Sequence, residues 1–344
     1  MTHAAPPPLL GIQDDAVLGS ANPSAWKLVG QLGPGVVRLQ VIWPGPGRRF
    51  DFTDTDRIVE GAASVGAEPL ITISAGGPNT NGTGHAPTTP TNTTAFGQFC
   101  SQVALRYDGG YTPGDELDAL PEVDRYSILN EPNRGQYLWP QGPAGASAPQ
   151  LAARLVAQCM PAIQDANPET EVALGPIASR GAQGGAAPLT FLEAYRKAGG
   201  PQPDAVAMNP YLDGLLPDYE PNEHPVDGAV TLRNLNQLET QLKVDYKRPV
   251  DVWLTEFAWR VGKSGPLGNV TASRQASLTA RTLKLVGHYP FVRIFTWFLL
   301  KDQTKGYWSS GLVGPNGQLR PVFSVWQKAE RRALPELASH AGTS

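Results

Sequence analysis

Two glutamates stand out for where they fall. Glu131 follows the apolar run "DRYSILN" (124–130) and precedes Pro132-Asn133, while Glu256 falls at the end of "DVWLTEF" (251–257). Each acid sits where a segment that reads as buried gives way to a turn. Two carboxylates delivered in this way can share acid and base work. One, protonated near neutral pH, donates to a leaving oxygen; the other, ionised, attacks an electrophilic carbon or activates water. Cleavage of a glycosidic bond makes that demand. Different surroundings and repulsion between like charges would set the two pKa values apart. A single glutamate at a strand end means little, because most glutamates are solvated surface groups. The matched pair is the signal.

The elements that must position the pair can be read from the hydrophobic pattern. Short apolar runs recur at 8–12, 35–43, 67–74, 124–130, 171–177, 204–211, 251–257 and 291–300. They lack strict polar alternation, as strands buried on both faces do. Helix-like stretches lie between them, beginning at Thr55, Thr94, Ala148, Leu189, Ala229 and Thr271, and a last one begins at Arg320. The pattern predicts an α/β fold, a single (β/α)8 TIM barrel spanning 9–335, with tails at 1–8 and 336–344. No G-x-G-x-x-G follows an early strand, so a doubly wound dinucleotide-binding sheet has nothing to rest on. In a barrel of this kind, chemistry is carried at the C-terminal ends of the strands. The fourth and seventh strands lie on opposite sides of the ring, so Glu131 and Glu256 can face each other across its mouth. The Pro- and Gly-rich segment 75–93 reads as a loop bordering that mouth.

Composition narrows the partners. The chain has 344 residues, a formal net charge of −3 and no basic run, so nucleic acid and anionic membranes are poor candidates. No stretch approaches the ~20 apolar residues that cross a bilayer. The start "MTHAAPPPLLG" shows no signal-peptide pattern, and a secreted, mature form is favoured over a cytoplasmic one. None of the five histidines stands at ligand spacing, His85 and His224 reading as loop residues; no metal and no cofactor are expected. Cys100 and Cys159 fall in consecutive predicted helices. Two buried free thiols are the preferred reading, with a disulfide between neighbouring helices as the alternative.

"ILNEPN" (128–133) together with "WLTEF" (253–257) resembles the clan of retaining (β/α)8 glycoside hydrolases, clan A, with its nearest character in families 39 and 5. The resemblance runs from about residue 9 to 332 and includes the closing segment 306–326. It implies that Glu131 is the acid/base and Glu256 the nucleophile. It also implies that Asn130 bonds the sugar 2-hydroxyl, that Arg38 in "VVRLQVIW" supports the nucleophile, and that Tyr211 in "MNPYLDG" hydrogen-bonds it. Trp297 in "IFTWFLLKD" matches the tryptophan that floors the first sugar subsite. Asn209 stands where many members carry a histidine, two residues before the tyrosine.

The implied reaction is cofactor-free cleavage of an equatorial bond, of β-D or α-L-arabinosyl type, in a plant or microbial glycan or glycoside. It proceeds with retention through a glycosyl-enzyme. Asp14 and Asp15 read as rim groups for sugar hydroxyls. Trp43, Trp139, Trp259 and Trp308, at or just after strand ends, read as outer sugar subsites. The alternatives are a catalytically silent carbohydrate-binding barrel and an internal-cutting glucanase or mannanase in place of an exo-glycosidase. A metal-dependent barrel enzyme would need three or more ligands converging at the mouth, and strand ends supply too few.

Overall fold

The computed structural model describes residues 6–76, 90–114, 118–142, 147–181, 184–211, 228–262, 269–304 and 308–341. Eight strands, β1 (Leu9–Gln13), β2 (Val36–Ile42), β3 (Glu68–Ser74), β4 (Arg125–Ile128), β5 (Glu171–Ala178), β6 (Ala205–Asn209), β7 (Asp251–Phe257) and β8 (Val292–Phe298), close into a barrel in sequence order. Every pair is parallel, and β8 returns to β1. The helices are α1 (Asp15–Leu18), α2 (Ser24–Leu32), α3 (Thr53–Ser64), α4 (Pro90–Arg106), α5 (Ala148–Gln164), α6 (Pro188–Lys197), α7 (Leu235–Tyr246), α8 (Ala272–Val286) and α9 (Pro321–Ala341). The (β/α)8 barrel read from the sequence is the observed fold.

Alternation along the strands explains the two cores. Leu9, Val36, Leu70, Ala173, Ala205, Ala207, Trp253 and Ile294 form a separate cluster that fills the barrel interior. Trp253 supplies the bulk there, and alanines on the adjacent β6 and on β5 leave it room. The intervening residues, such as Val37, Leu39 and Val41 of β2, join the larger layer packed beneath the helices. Above the apolar plug the inward positions turn polar: Gln13, Arg38, Thr72, Ser127, Asn209 and Thr255 are all buried. That polar tier is the base of the mouth.

Three register shifts interrupt the ladder, one of them between Val252 and Trp253 of β7. In β5 the register shifts between Leu174 and Ile177. Gly175 there has φ 100°, and a Cβ on it would lie 2.7 Å from the Ala207 carbonyl oxygen, so only glycine fits. In β7 the register shifts between Leu254 and Phe257.

The structure departs from the sequence reading in several places. α1 and α2 lie where the apolar periodicity predicts no helix; Gly19, Pro23, Gly30 and Gly33 punctuate the stretch and mask the buried stripe Ala25, Val29, Leu32. α7 begins at Leu235 and not at Ala229, and α9 continues to Ala341, past residue 335. Cys100 of α4 and Cys159 of α5 are joined in a disulfide, with Cα atoms 5.3 Å apart. The free-thiol reading is thereby corrected: α4 and α5 pack side by side and bring the two sulfurs into bonding range.

Candidate active site

The β7 bulge decides where Glu256 goes. Leu254 and Phe257 both belong to the outer layer, and the extra residue between them puts Thr255 and Glu256 in succession on the mouth side. Simple alternation from the inward Trp253 would have turned Glu256 toward the helices. Its Oε1 accepts from Arg38 Nη1 at 2.5 Å and from Gln40 Nε2 at 3.4 Å; its Oε2 accepts from Tyr211 at 3.3 Å.

Arg38 is fully buried and spreads its donors over four partners. Nε reaches Thr72 at 2.9 Å, Nη1 reaches Gln13 as well as Glu256, and Nη2 reaches Asn130 at 3.2 Å. Thr72 in turn shares a hydrogen bond with Ser127 at 2.8 Å. A rigid guanidinium fork suits a site where several oxygens must be held at fixed angles.

Glu131 is delivered differently. β4 stops at Ile128, and Leu129 and Glu131 adopt left-handed φ values of 75° and 45°. Such backbone costs on the order of 1–3 kcal/mol per residue and persists where surroundings enforce it, most often at functional sites. Here the Glu131 amide is held by Pro176 O at 2.6 Å. Asn133 ties the same loop to β5, donating to Ala178 O and Ala186 O and accepting from Ala178 N.

The Glu131 carboxylate accepts from Asn209 Nδ2 at 3.2 Å on Oε1 and from Arg134 Nη1 at 2.9 Å on Oε2. Burial, and then the nearby charge of Glu256, push its pKa up to about 7 from 4.5, against the opposing pull of Arg134 and Asn209. Tyr137 feels both acids: burial first, then Glu131 and Glu256, raise its phenol to about 12.

The residues expected at the site therefore divide. Glu131, Glu256, Asn130, Arg38, Asn209 and Tyr211 come together in one network. Asn209, however, is buried with both ends of its amide engaged, to Glu131 and to the Thr255 hydroxyl at 2.9 Å, so it is held between these two side chains. Asp15 accepts from Gln40 N at 2.6 Å and Gln13 Nε2 at 2.8 Å, which joins it to the base of the same network. Asp14 is structural: it caps α1 at Val17 N and takes Lys301 N at 2.9 Å, stitching β1 to the segment after β8.

Three tryptophans are not brought to the mouth. Trp297 has no exposed surface; it lies against Trp326 of α9 and donates to Ser310 O. Trp43 packs edge-on to Phe96 of α4, and Trp259 donates to Thr282 of α8. Trp297 holds an outward position of β8, while Trp43 and Trp259, just beyond β2 and β7, continue the outward parity beneath the helices. The inward residue at the end of β8 is Phe298, partly exposed, 5.8 Å from Trp308, whose ring is 5.4 Å from Tyr211. Arg260 lies over the Trp308 ring at 4.6 Å. Trp139, in the β4–α5 loop, is exposed.

Gln40, Thr255, Arg134, Tyr137 and Phe298 are absent from the sequence-based site. Gln40 carried a usable signal, since it stands two positions beyond Arg38 on one strand and must share its face. Thr255 and Phe298 follow from alternation in the same way, two positions beyond the inward Trp253 and four beyond the inward Ile294, whereas Arg134 and Tyr137 depend on the path of the loop after β4. His85 and His224 lie outside the described residues, as does 77–89 of the expected mouth loop. Among the described residues no group of three or more His, Cys, Asp or Glu could hold a metal ion, and no helix is long and apolar enough to cross a membrane.

No family model and no curated protein matches the chain. Solved structures do match. A family 39 glycoside hydrolase from the gut symbiont Bacteroides cellulosilyticus superposes with a TM-score of 0.69 at 18% identity, over 94% of this chain and 64% of that one. An exo-β-1,4-mannosidase from an Opitutaceae bacterium gives 0.62 at 15%, over 97% and 60%. A structure of fungal β-1,4-galactanases gives 0.65 at 15%, over 93% and 99%. The likeness is one of fold. This chain spans less than two thirds of the length of the first two proteins and nearly all of the third.

Proposed function

We propose that the protein is a retaining glycoside hydrolase acting on an equatorial glycosidic bond, with Glu256 as nucleophile and Glu131 as acid/base. One observation carries the reading: two buried carboxylates share the barrel mouth in opposite settings. Glu256 is bonded by Arg38, Tyr211 and Gln40, whereas burial and the charge of its partner raise Glu131 toward neutrality. This is the division of labour that double displacement needs. The barrels it superposes on, among them a family 39 enzyme, an exo-mannosidase and galactanases, support the same reaction class.

In the first step Glu256 forms a bond to the anomeric carbon as the bond to the leaving oxygen breaks, and Glu131 passes its proton to that oxygen. Arg38 and Tyr211 hold the attacking carboxylate in place. The leaving group departs as an alcohol and a glycosyl ester remains. In the second step Glu131, now ionised, takes a proton from water as that water attacks the anomeric carbon. The ester breaks, Glu256 is free again, and two inversions leave the configuration retained. Asn130, held by Arg38, is placed for the 2-hydroxyl, and Phe298 with Trp308 offers the aromatic surface assigned in the sequence reading to Trp297.

A panel of chromogenic aryl glycosides tests the proposal. The wild-type chain should hydrolyse at least one member and release the retained anomer first, as followed by NMR. Glu256→Ala should be inactive. Glu131→Ala should keep turnover only on an activated leaving group and regain rate with azide. Full activity in either variant, or an inverted first product, would overturn the assignment. Sugar binding without turnover would instead mark a silent carbohydrate-binding barrel.

A further inference from the structure

We propose that Arg134 and Arg180 form an anion-binding subsite beside Glu131, on the side of the departing group, which takes the carboxylate of an acidic sugar. The proposal rests on the hydrolase reading only in naming that side. Three observations lead to it.

The first is the way Glu131 is held. Its Oε1 is bonded by the buried Asn209, so Oε2 is the oxygen left for a leaving group, and Arg134 occupies it at 2.9 Å. To deliver a proton there, Glu131 must exchange Arg134 for the leaving oxygen. Arg134 then needs another partner, since a cation stripped of its anion in a partly buried site is costly.

The second is the state of the arginines. Arg134 Nε, and Nε and Nη2 of Arg180, are buried without a hydrogen-bond partner. Buried donors on a cation are nearly always satisfied, so each of these three calls for an acceptor. The third is placement. Arg134 follows Asn133, whose amide is bonded to Ala178 at the end of β5, and Arg180 lies two residues beyond Ala178. Both arginines thus stand on the β4–β5 side of the mouth. A sugar carboxylate arriving there would meet repulsion from Glu131 and Glu256, and two guanidinium groups supply the compensating charge with forked donors suited to it. The same carboxylate would draw Arg134 off Oε2, so that binding an acidic leaving group frees the acid for its task.

The test uses the whole protein at low salt with D-glucuronate and D-glucose as probes, followed by NMR titration with the Glu131 side-chain carboxyl labelled with 13C. Glucuronate is expected to bind about tenfold more tightly than glucose and to shift the Glu131 signal, which glucose should leave in place. Salt should weaken the preference. Arg134→Gln and Arg180→Gln should each reduce it to about twofold or less, while their affinity for glucose reports that the fold is kept. Arg134→Lys should retain part of it. Equal binding of the two sugars by the wild type, or an intact preference in either glutamine variant, overturns the subsite. A chain that prefers glucuronate but hydrolyses no glycoside upholds the subsite and removes the hydrolase reading; hydrolysis without the preference does the reverse.

Discussion

Arg38 Nη1 lies 2.5 Å from Glu256 Oε1, although 218 positions separate them along the chain. The arginine is wholly buried and its other donors are spent on Gln13, Thr72 and Asn130, so it fixes the Glu256 carboxylate and the Asn130 amide together. Removing one partner of a buried pair leaves the other uncompensated and costs about 3–5 kcal/mol. Arg38→Met is therefore expected to lower the unfolding free energy, read from denaturant titration, by that amount and to abolish turnover. Arg38→Lys keeps the charge but cannot span four acceptors, and should recover stability better than rate.

Glu131 links activity and stability to pH. In its proposed role of general acid it must be protonated in the free enzyme, so kcat/KM should fall about tenfold per pH unit above roughly 7. Glu131→Gln should remove that limb on an activated aryl glycoside. Because the folded-state pKa lies above the unfolded value of 4.5, the folded chain binds the proton more tightly. Its contribution to stability is full below about 4.5 and is lost as pH rises through about 7, a loss of roughly 3 kcal/mol. Glu131→Gln should thus unfold at a higher temperature than the wild type at pH 8 and lose that advantage at pH 4.5. Calorimetry at the two pH values checks the sign.

Tyr211 donates to Glu256 Oε2 at 3.3 Å. A hydrogen bond to a charged group contributes about 1.5–3 kcal/mol, so Tyr211→Phe should lower kcat/KM by about 10–100-fold with little change in thermal stability. Steady-state kinetics on one aryl glycoside decides it.

Trp297 and Trp308 should behave oppositely. Trp297→Ala opens a cavity against Trp326 and is expected to cost about 3–5 kcal/mol of stability. Trp308→Ala, at the partly exposed ring beside Tyr211 and Phe298, should raise KM while leaving the unfolding midpoint near wild type. Parallel denaturation and kinetics separate the two.

The Cys100–Cys159 disulfide closes a 59-residue separation between α4 and α5. The chain-entropy account of such a loop gives about 4 kcal/mol. Replacing both cysteines with serine, or adding reductant, should lower the denaturant midpoint accordingly. An unchanged midpoint would show that the bond adds nothing to the packing of the two helices.

The strand positions, the barrel and the two glutamates were legible in the sequence, because a strand buried on both faces needs an unbroken apolar run and the run ends where solvent and chemistry begin. Arg38 was picked out only by the resemblance of "VVRLQVIW" to the glycoside hydrolase pattern, and its pairing with Glu256 came from the fold. Side-chain direction was not. Trp43, Trp259 and Trp297 are large aromatics near strand ends, yet each falls on the outward parity and serves the helix layer. Parity is set by register around the whole closed ring. At Glu256 a one-residue bulge overrides alternation, and at Glu131 two left-handed residues and a bond from β5 aim the side chain. Asn209 read from the sequence only as a departure from the histidine of many relatives, and the fold bonds it to Glu131 and Thr255. The sequence by itself determined which residues could do the work and on which strands they ride. Only the tertiary structure decided which way they point, because hydrogen bonds between residues up to hundreds of positions apart set that direction, and no local pattern encodes it.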